Sequence, residues 1–295
     1  MQPGQVKQAM EENNDLIEAL LTLLDDEDDV IAGSAQKKLR ELGHDAIPEI
    51  EEHLQDQPLK VKLRAREVMS QLQPSGLEED FRSLPQLENG DLDLEEGMFT
   101  LARLAYPSLQ TEPYRTELDE IADQLGEALN RWDARDAHTT VEIVNNVIFE
   151  QLGFHGNSEN YYDENNSFIN QILERRTGIP ISLSAVILLI AERLDLPYRG
   201  IGMPAHFLLR YDDPDHGETI FIDAFNQGKK LGKRDCVEFL SRTGFGFIKE
   251  YLEPVSNQEI LSRFIRNLIK VYSRKQLPDR VQELRRYLTI LDHQF

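Results

Sequence analysis

Two residues set the chemistry this sequence could support. His206 opens the run His206-Phe207-Leu208-Leu209-Arg210-Tyr211, and Asp223 lies in Thr219-Ile220-Phe221-Ile222-Asp223-Ala224-Phe225. Both runs are dense in aromatic and β-branched residues and are separated by the turn DDPDHGE, which predicts a β-hairpin. Side chains alternate along a strand, so His206, Leu208 and Arg210 share one face of the first strand, and Phe221, Asp223 and Phe225 share one face of the second. The histidine and the aspartate can therefore meet across the pair. An imidazole held by a carboxylate serves as a general base; the same contact is also an ordinary satisfied polar pair inside a hairpin. The sequence has one cysteine, Cys236, in KRDCVEFL, beyond both strands on a helix with Val237, Phe239 and Leu240. That setting predicts a small buried hydrophobe rather than a reactive thiol.

The elements around this hairpin are helical. Ser182 to Leu194 is apolar nearly all round, which predicts a helix buried on every side. Gly178–Pro180 breaks the chain before it, ending a helix over Ser167 to Arg176. Pro204 biases Met203 toward an extended backbone and sets His206 at the start of its strand. Upstream, three amphipathic stretches predict core helices: Phe99 to Ala105, Tyr114 to Leu129 and Val141 to Leu152.

Nearer the N-terminus, Leu20, Leu24, Ile31, Ala35, Leu39 and Leu42 recur thirty residues on as Ile50, Leu54, Val61, Ala65, Met69 and Leu72, with Asp26 matched by Asp56. Such a repeated helix pair gains stability by stacking on its copy. Residues 74–96 hold eight acids against one base, with two prolines and two glycines, and read as a linker. After Ile260 two stripes follow, Leu261 to Tyr272 and Val281 to Leu291, parted by Gln276-Leu277-Pro278. This segment carries eight bases and three acids, which suits docking on the protein's own acidic surface.

Composition narrows the partners. The 295 residues include 53 acids and 32 bases, a net charge of −21, which repels a phosphate backbone and disfavours nucleic acid. The longest apolar run, Ala185 to Ala191, is far shorter than a bilayer needs, and the first residues show no signal-peptide core, so a cytoplasmic protein without membrane insertion is expected. No cofactor motif is present. His206, His216 and Asp223 form a formally possible metal set, unsupported by an HxxxH or a cysteine pair.

The phrases GFHGN, NSFINQILERRTGIPISL, MPAHFLLR and FIDAFNQG, between Asn145 and Lys230, resemble the SirB-type bacterial proteins, regulators of sirC expression with a transglutaminase-like domain and a tetratricopeptide tail. The likeness runs from about Gly97 to the C-terminus. The segment LLDDEDDVIAGSAQKKLRELGHDAIPEI separately resembles a HEAT-like repeat, read either as a cap on the next domain or as a partner-binding module. What these resemblances imply is an α+β fold, mostly helical, with a degenerate transglutaminase-like (papain-like) core containing a small antiparallel sheet, flanked by helical repeats. The implied boundaries are 1–73 for the HEAT-like segment, 74–96 for the acidic linker, 97–255 for the core and 256–295 for the tetratricopeptide-like hairpin.

A transglutaminase-type site places a thiolate at the start of a buried helix, followed in sequence by a histidine and an aspartate on neighbouring strands. By that resemblance the nucleophile slot falls in Pro180–Ser182, where no cysteine stands. Ser182, and less readily Ser184, is the oxygen nucleophile available there, and Ser182 better suits a helix cap. The implied site is thus Ser182, His206 and Asp223 as a degenerate triad. Asn157 and Tyr161 would line the pocket mouth. Glu174 and Arg175, with Arg176, either bind a substrate carboxylate or pair with neighbouring charges. The expected function is a regulatory or scaffold protein that binds a protein partner. The alternatives are a hydrolase or acyl transferase acting on amides or esters, and a small-molecule binder using the emptied cleft.

Overall fold

The acidic turn near the N-terminus shows how local sequence becomes packing. In a computed structural model describing residues 16–42, 46–54, 57–72, 74–132, 136–213 and 217–294, helix α1 (16–23) ends just before this turn and α2 (Asp29–Glu41) begins just after it. Asp28 caps α2, its carboxylate accepting from the Val30 N–H at 2.8 Å. The carbonyls of the turn after α1 are taken by α4 (Leu59–Leu72): Lys60 Nζ donates to Asp25 and Asp26, and Arg64 donates to Leu24 while pairing with Asp29 at 2.9 Å. Together with α3 (Ile47–Leu54), these helices bury Leu20, Leu24, Leu39, Ile50, Val61 and Ala65 in one cluster. Ile31 departs from the expected stripe. It is exposed, and the neighbouring Ala32 is buried. Gly43 and Asp56 lie outside the described residues.

The chain divides into two compact units, Met1–Asp80 with Arg103–Leu109, and Phe81–Ala102 with Gln110–Phe295. Helix α5 (Pro74–Arg82) spans the sequence boundary between them. The stretch expected as a linker is therefore partly helical, and beyond α5 it is built into the second unit. Leu84, Leu92 and Leu94 are buried, and the Asp91 carboxylate accepts from the N–H groups of Asn257 at 2.7 Å and Gln258 at 3.2 Å. Asp91 thereby satisfies orphan donors at the helix start and complements its dipole.

The second unit contains α6 (Leu94–Ala102), α7 (Glu112–Arg131) and α8 (Ala137–Asn145), then α9 (Ile169–Arg175) and α10 (Pro180–Arg193). Helix α10 is buried from Pro180 to Ala191 except at Leu188, as its unbroken apolar composition requires, and it packs on α7, α9 and the sheet. The sheet has four antiparallel strands in sequence order, β3 (Tyr198–Ile201), β4 (Leu208–Asp212), β5 (Thr219–Asp223) and β6 (Lys229–Leu231). Two further strands, β1 (His155–Gly156) and β2 (Thr177–Gly178), pair in parallel over two residues. The hairpin expected from the sequence is β4–β5, with Leu209 opposite Ile222.

Helix α11 (Lys233–Arg242) follows the sheet, and α12 (Asn257–Arg274) and α13 (Pro278–Gln294) close the chain. The last pair belongs to the core of this unit. Helix α12 packs on α6 and α10, and Tyr287 of α13 stacks on Phe81 at 4.6 Å between ring centroids. No helix among the described residues is long and apolar enough to cross a membrane.

Candidate functional site

His206 lies two residues before β4, and Asp223 is the last residue of β5. The β4–β5 register puts them diagonally across the hairpin, and His206 Nε2 meets Asp223 Oδ2 at 2.9 Å. Both are largely withdrawn from solvent, with side-chain exposures of 11% and 8%. Asp223 is then filled on every side. Its Oδ1 accepts from the Phe225 and Asn226 N–H groups, and its Oδ2 also accepts from Asn226 Nδ2 at 2.7 Å. Burial alone would raise the Asp223 pKa, but the His206 contact and the Asn226 donors outweigh it and hold the carboxyl below its ordinary value.

The rest of the FIDAFNQG motif maintains this geometry. Gln227 and Gly228 turn in the left-handed region, and the Gly228 carbonyl accepts from Asn145 Nδ2 at 2.7 Å. A Cβ at Gly228 would lie 2.1 Å from Asn145 Oδ1, so only glycine allows α8 to grip the turn. On the histidine side, the bend Met203–His206 contains Ala205 in the left-handed region at φ 61°. It is held from α12: Arg263 Nη2 donates to the carbonyls of Met203 at 2.6 Å and His206 at 2.7 Å. The imidazole also faces the Phe239 ring at 5.2 Å.

Ser182 is the third residue of α10 and is fully buried. Its Oγ accepts from the Ile179 N–H at 2.8 Å and donates to the Ile179 carbonyl at 3.0 Å. The cap residue itself is Ile179, so Ser182 serves as the returning half of a capping box rather than as the N-cap. Gly178 is required beneath it, because a Cβ there would stand 2.5 Å from Ser182 Oγ.

A cavity of about 450 Å³ opens beside His206. The start of α10 contributes Ile179, Pro180 and Ile181 to its lining, and Tyr161 and Phe207 also line it; Ser182 does not. Of the other residues expected at a pocket, the cavity reaches neither Asn157 nor Glu174 nor Arg175. Asn157 is committed to a buried amide pair with Asn166 at 2.9 Å. Glu174 accepts from Tyr114 and from Gln171, and Arg175 pairs with Asp163 at 2.9 Å. Arg176 pairs with Glu117 at 2.7 Å and lies over the Phe154 ring.

Cys236 is fully buried among Ile201, Met203, Leu208 and Phe221, and burial pushes its thiol up to about 11. Little thiolate exists there at neutral pH. Among the described residues no group of three His, Cys, Asp or Glu side chains is placed to hold a metal ion, and His216 lies outside those residues. The sequence reading missed α12 as a wall of this cavity, where Arg263, Arg266 and Lys270 stand. Its signal was the local excess of bases after Ile260.

Residues 112–266 match the family model of the transglutaminase-like superfamily. A UPF0162 protein of Xylella fastidiosa (strain 9a5c) is 32% identical over 210 residues, covering 68% of this chain and 72% of that protein. A UPF0162 protein of Vibrio cholerae is 29% identical over 177 residues, covering 59% of this chain and 64% of its own length. F-box only protein 21 of Mus musculus is 36% identical over 151 residues, 49% of this chain but 24% of the mouse protein. No solved structure matches the chain.

Proposed function

Because this chain belongs to the UPF0162 family of the transglutaminase-like superfamily, we propose that it acts by capturing a protein partner at a transglutaminase-like core rather than by transferring an acyl group. One observation carries this reading. At the start of α10, where such a site requires its nucleophile, the cavity meets Ile179, Pro180 and Ile181, and the hydroxyl of Ser182 is bound in both directions to the Ile179 backbone. A nucleophile must present a free lone pair to the reacting carbon within reach of its base. A buried hydroxyl closed on its own helix end does not.

The His206–Asp223 pair then acts as a fixed polar edge of the binding cleft. The regulatory role that the SirB-type resemblance implies is consistent with a module of this kind. So is the recurrence of a similar 151-residue region as about a quarter of the much longer F-box only protein 21.

A second reading rests on the same pair. In a hydrolase or acyl transferase, Asp223 would orient His206 as the base for Ser182, which would have to leave its cap to reach substrate. Screening the purified chain against simple esters, amides and glutamine-donor peptides separates the two. Partner capture predicts no turnover above the blank and unchanged partner binding by Ser182→Ala. Turnover that disappears in both Ser182→Ala and His206→Ala would overturn it in favour of the enzyme.

A further inference from the structure

The wall of the cavity formed by α12 is unusual in its charge. Arg263, Arg266 and Lys270 recur at spacings of three and four, so one helix face turns three cations into a single cleft on a chain of net charge −21. The acids that share the lining are already engaged: Glu259 pairs with Arg266 at 2.9 Å, and Asp163 pairs with Arg175 at 2.9 Å. His206 is engaged with Asp223. That leaves Arg263 and Lys270, neither of which has an ion pair among the described residues.

Arg263 is half-buried, and its polar partners are the two neutral carbonyls of the Met203–His206 bend. Burial presses its pKa down, opposed by Glu259 and Tyr161, yet an arginine at any ordinary pH stays charged. The carboxylate that offsets the charge of Arg263, Glu259, is itself bonded to Arg266, so this half-buried cation has no ion pair of its own among the described residues. The remaining lining is mostly aromatic or apolar, with Tyr161, Phe207, Ile179, Ile181 and Val271 among it, and Ser167 and Asn267 add neutral polar groups. The combination suits a single negative charge attached to an apolar body. A phosphate dianion would call for more free donors than the two cations offer, since one Arg263 nitrogen is already spent on carbonyls.

We infer that the cleft between α10 and α12 is a carboxylate-binding subsite, seating a peptide carboxylate against Arg263 and Lys270 with the adjoining apolar side chain against Tyr161 and Phe207. This rests on the reading of the core as a capture module and names what it captures. The cavity, at about 450 Å³, lies within the range that holds small ligands and so accommodates the end of a chain rather than a folded surface. It also gives the C-terminal helices a part in recognition, because α12 both holds the bend that carries His206 and supplies the counter-charge.

The test is titration calorimetry of the full chain with N-acetyl-Gly-Leu-Phe as the free acid, the same peptide as its C-terminal amide, hydrocinnamate and inorganic phosphate. The free acid should bind at least ~5-fold more tightly than the amide, and Lys270→Gln should weaken the acid by about 2–5-fold while leaving the amide unchanged. Arg263→Gln should weaken it further, and Lys270→Gln keeps the test valid should loss of Arg263 disturb the bend. Hydrocinnamate binding as tightly as the peptide would overturn the peptide as source. Phosphate binding as tightly as the free acid, equal binding of acid and amide, or no binding of the free acid at millimolar concentration would each overturn the subsite. None of these outcomes depends on turnover, so they fail separately from the capture reading.

Discussion

His206 and Asp223, seventeen residues apart, stand diagonally across a hairpin with 2.9 Å between Nε2 and Oδ2. Because the Asp223 pKa is held below its ordinary value, the carboxylate's stabilisation is complete above the unfolded-state value of ~3.9 and is lost as pH falls through the lower folded-state value. Asp223→Asn should therefore cost about 1–3 kcal/mol at neutral pH. Urea unfolding of both proteins from pH 7 down to pH 3 should show the difference shrinking toward the acid end. A difference that stays constant across that range would contradict the assignment.

Ser182→Ala removes the group that satisfies the buried Ile179 N–H at the start of α10. A loss of about 0.5–2 kcal/mol is expected in denaturant unfolding. Binding at the cleft should be unchanged, because Ser182 does not reach the cavity.

Cys236 should resist alkylation. Its thiol is fully buried and pushed up to about 11, so at pH 8 the folded protein should react with iodoacetamide far more slowly than the same protein in urea. Labelling in the folded state as fast as in urea would show that the thiol is exposed or activated.

Asp91 should matter although it sits in a stretch that reads as a linker. Asp91→Ala deprives Asn257 and Gln258 of their acceptor at the start of α12 and is expected to lower the stability of the second unit by about 0.5–2 kcal/mol. Thermal unfolding indistinguishable from wild type would show that the contact contributes nothing.

The pairing at the site was legible in part: reading His206-to-Tyr211 and Thr219-to-Phe225 as a hairpin allows the two side chains to meet, while the bend that carries His206, two residues before β4, was set by the fold. Helix α10 was legible because an element apolar all round has nowhere to go but the interior. The short strands β3 and β6 were not. Arg199-Gly200 and Lys229-Lys230 carry no alternation, and these segments are strands because they pair with the two edges of the β4–β5 hairpin. The acidic run around Asp91 misled for a related reason, since a carboxylate that caps a distant helix looks in sequence like any solvated charge.

What the sequence determined by itself was most of the inward faces of the helices, Ile31 excepted, and which residues share a strand face. Those properties follow from backbone periodicity and residue type, which act within a few residues. The tertiary structure decided where Ser182 turns its hydroxyl, that Asn157, Glu174 and Arg175 are spent on neighbours, and that Arg263, 57 residues beyond His206, grips its loop. The Glu174 and Arg263 contacts join partners brought together by long-range packing, whereas Ser182 closes on the backbone three residues away. A polar side chain takes whichever partner the core delivers, and no local pattern specifies which one that will be.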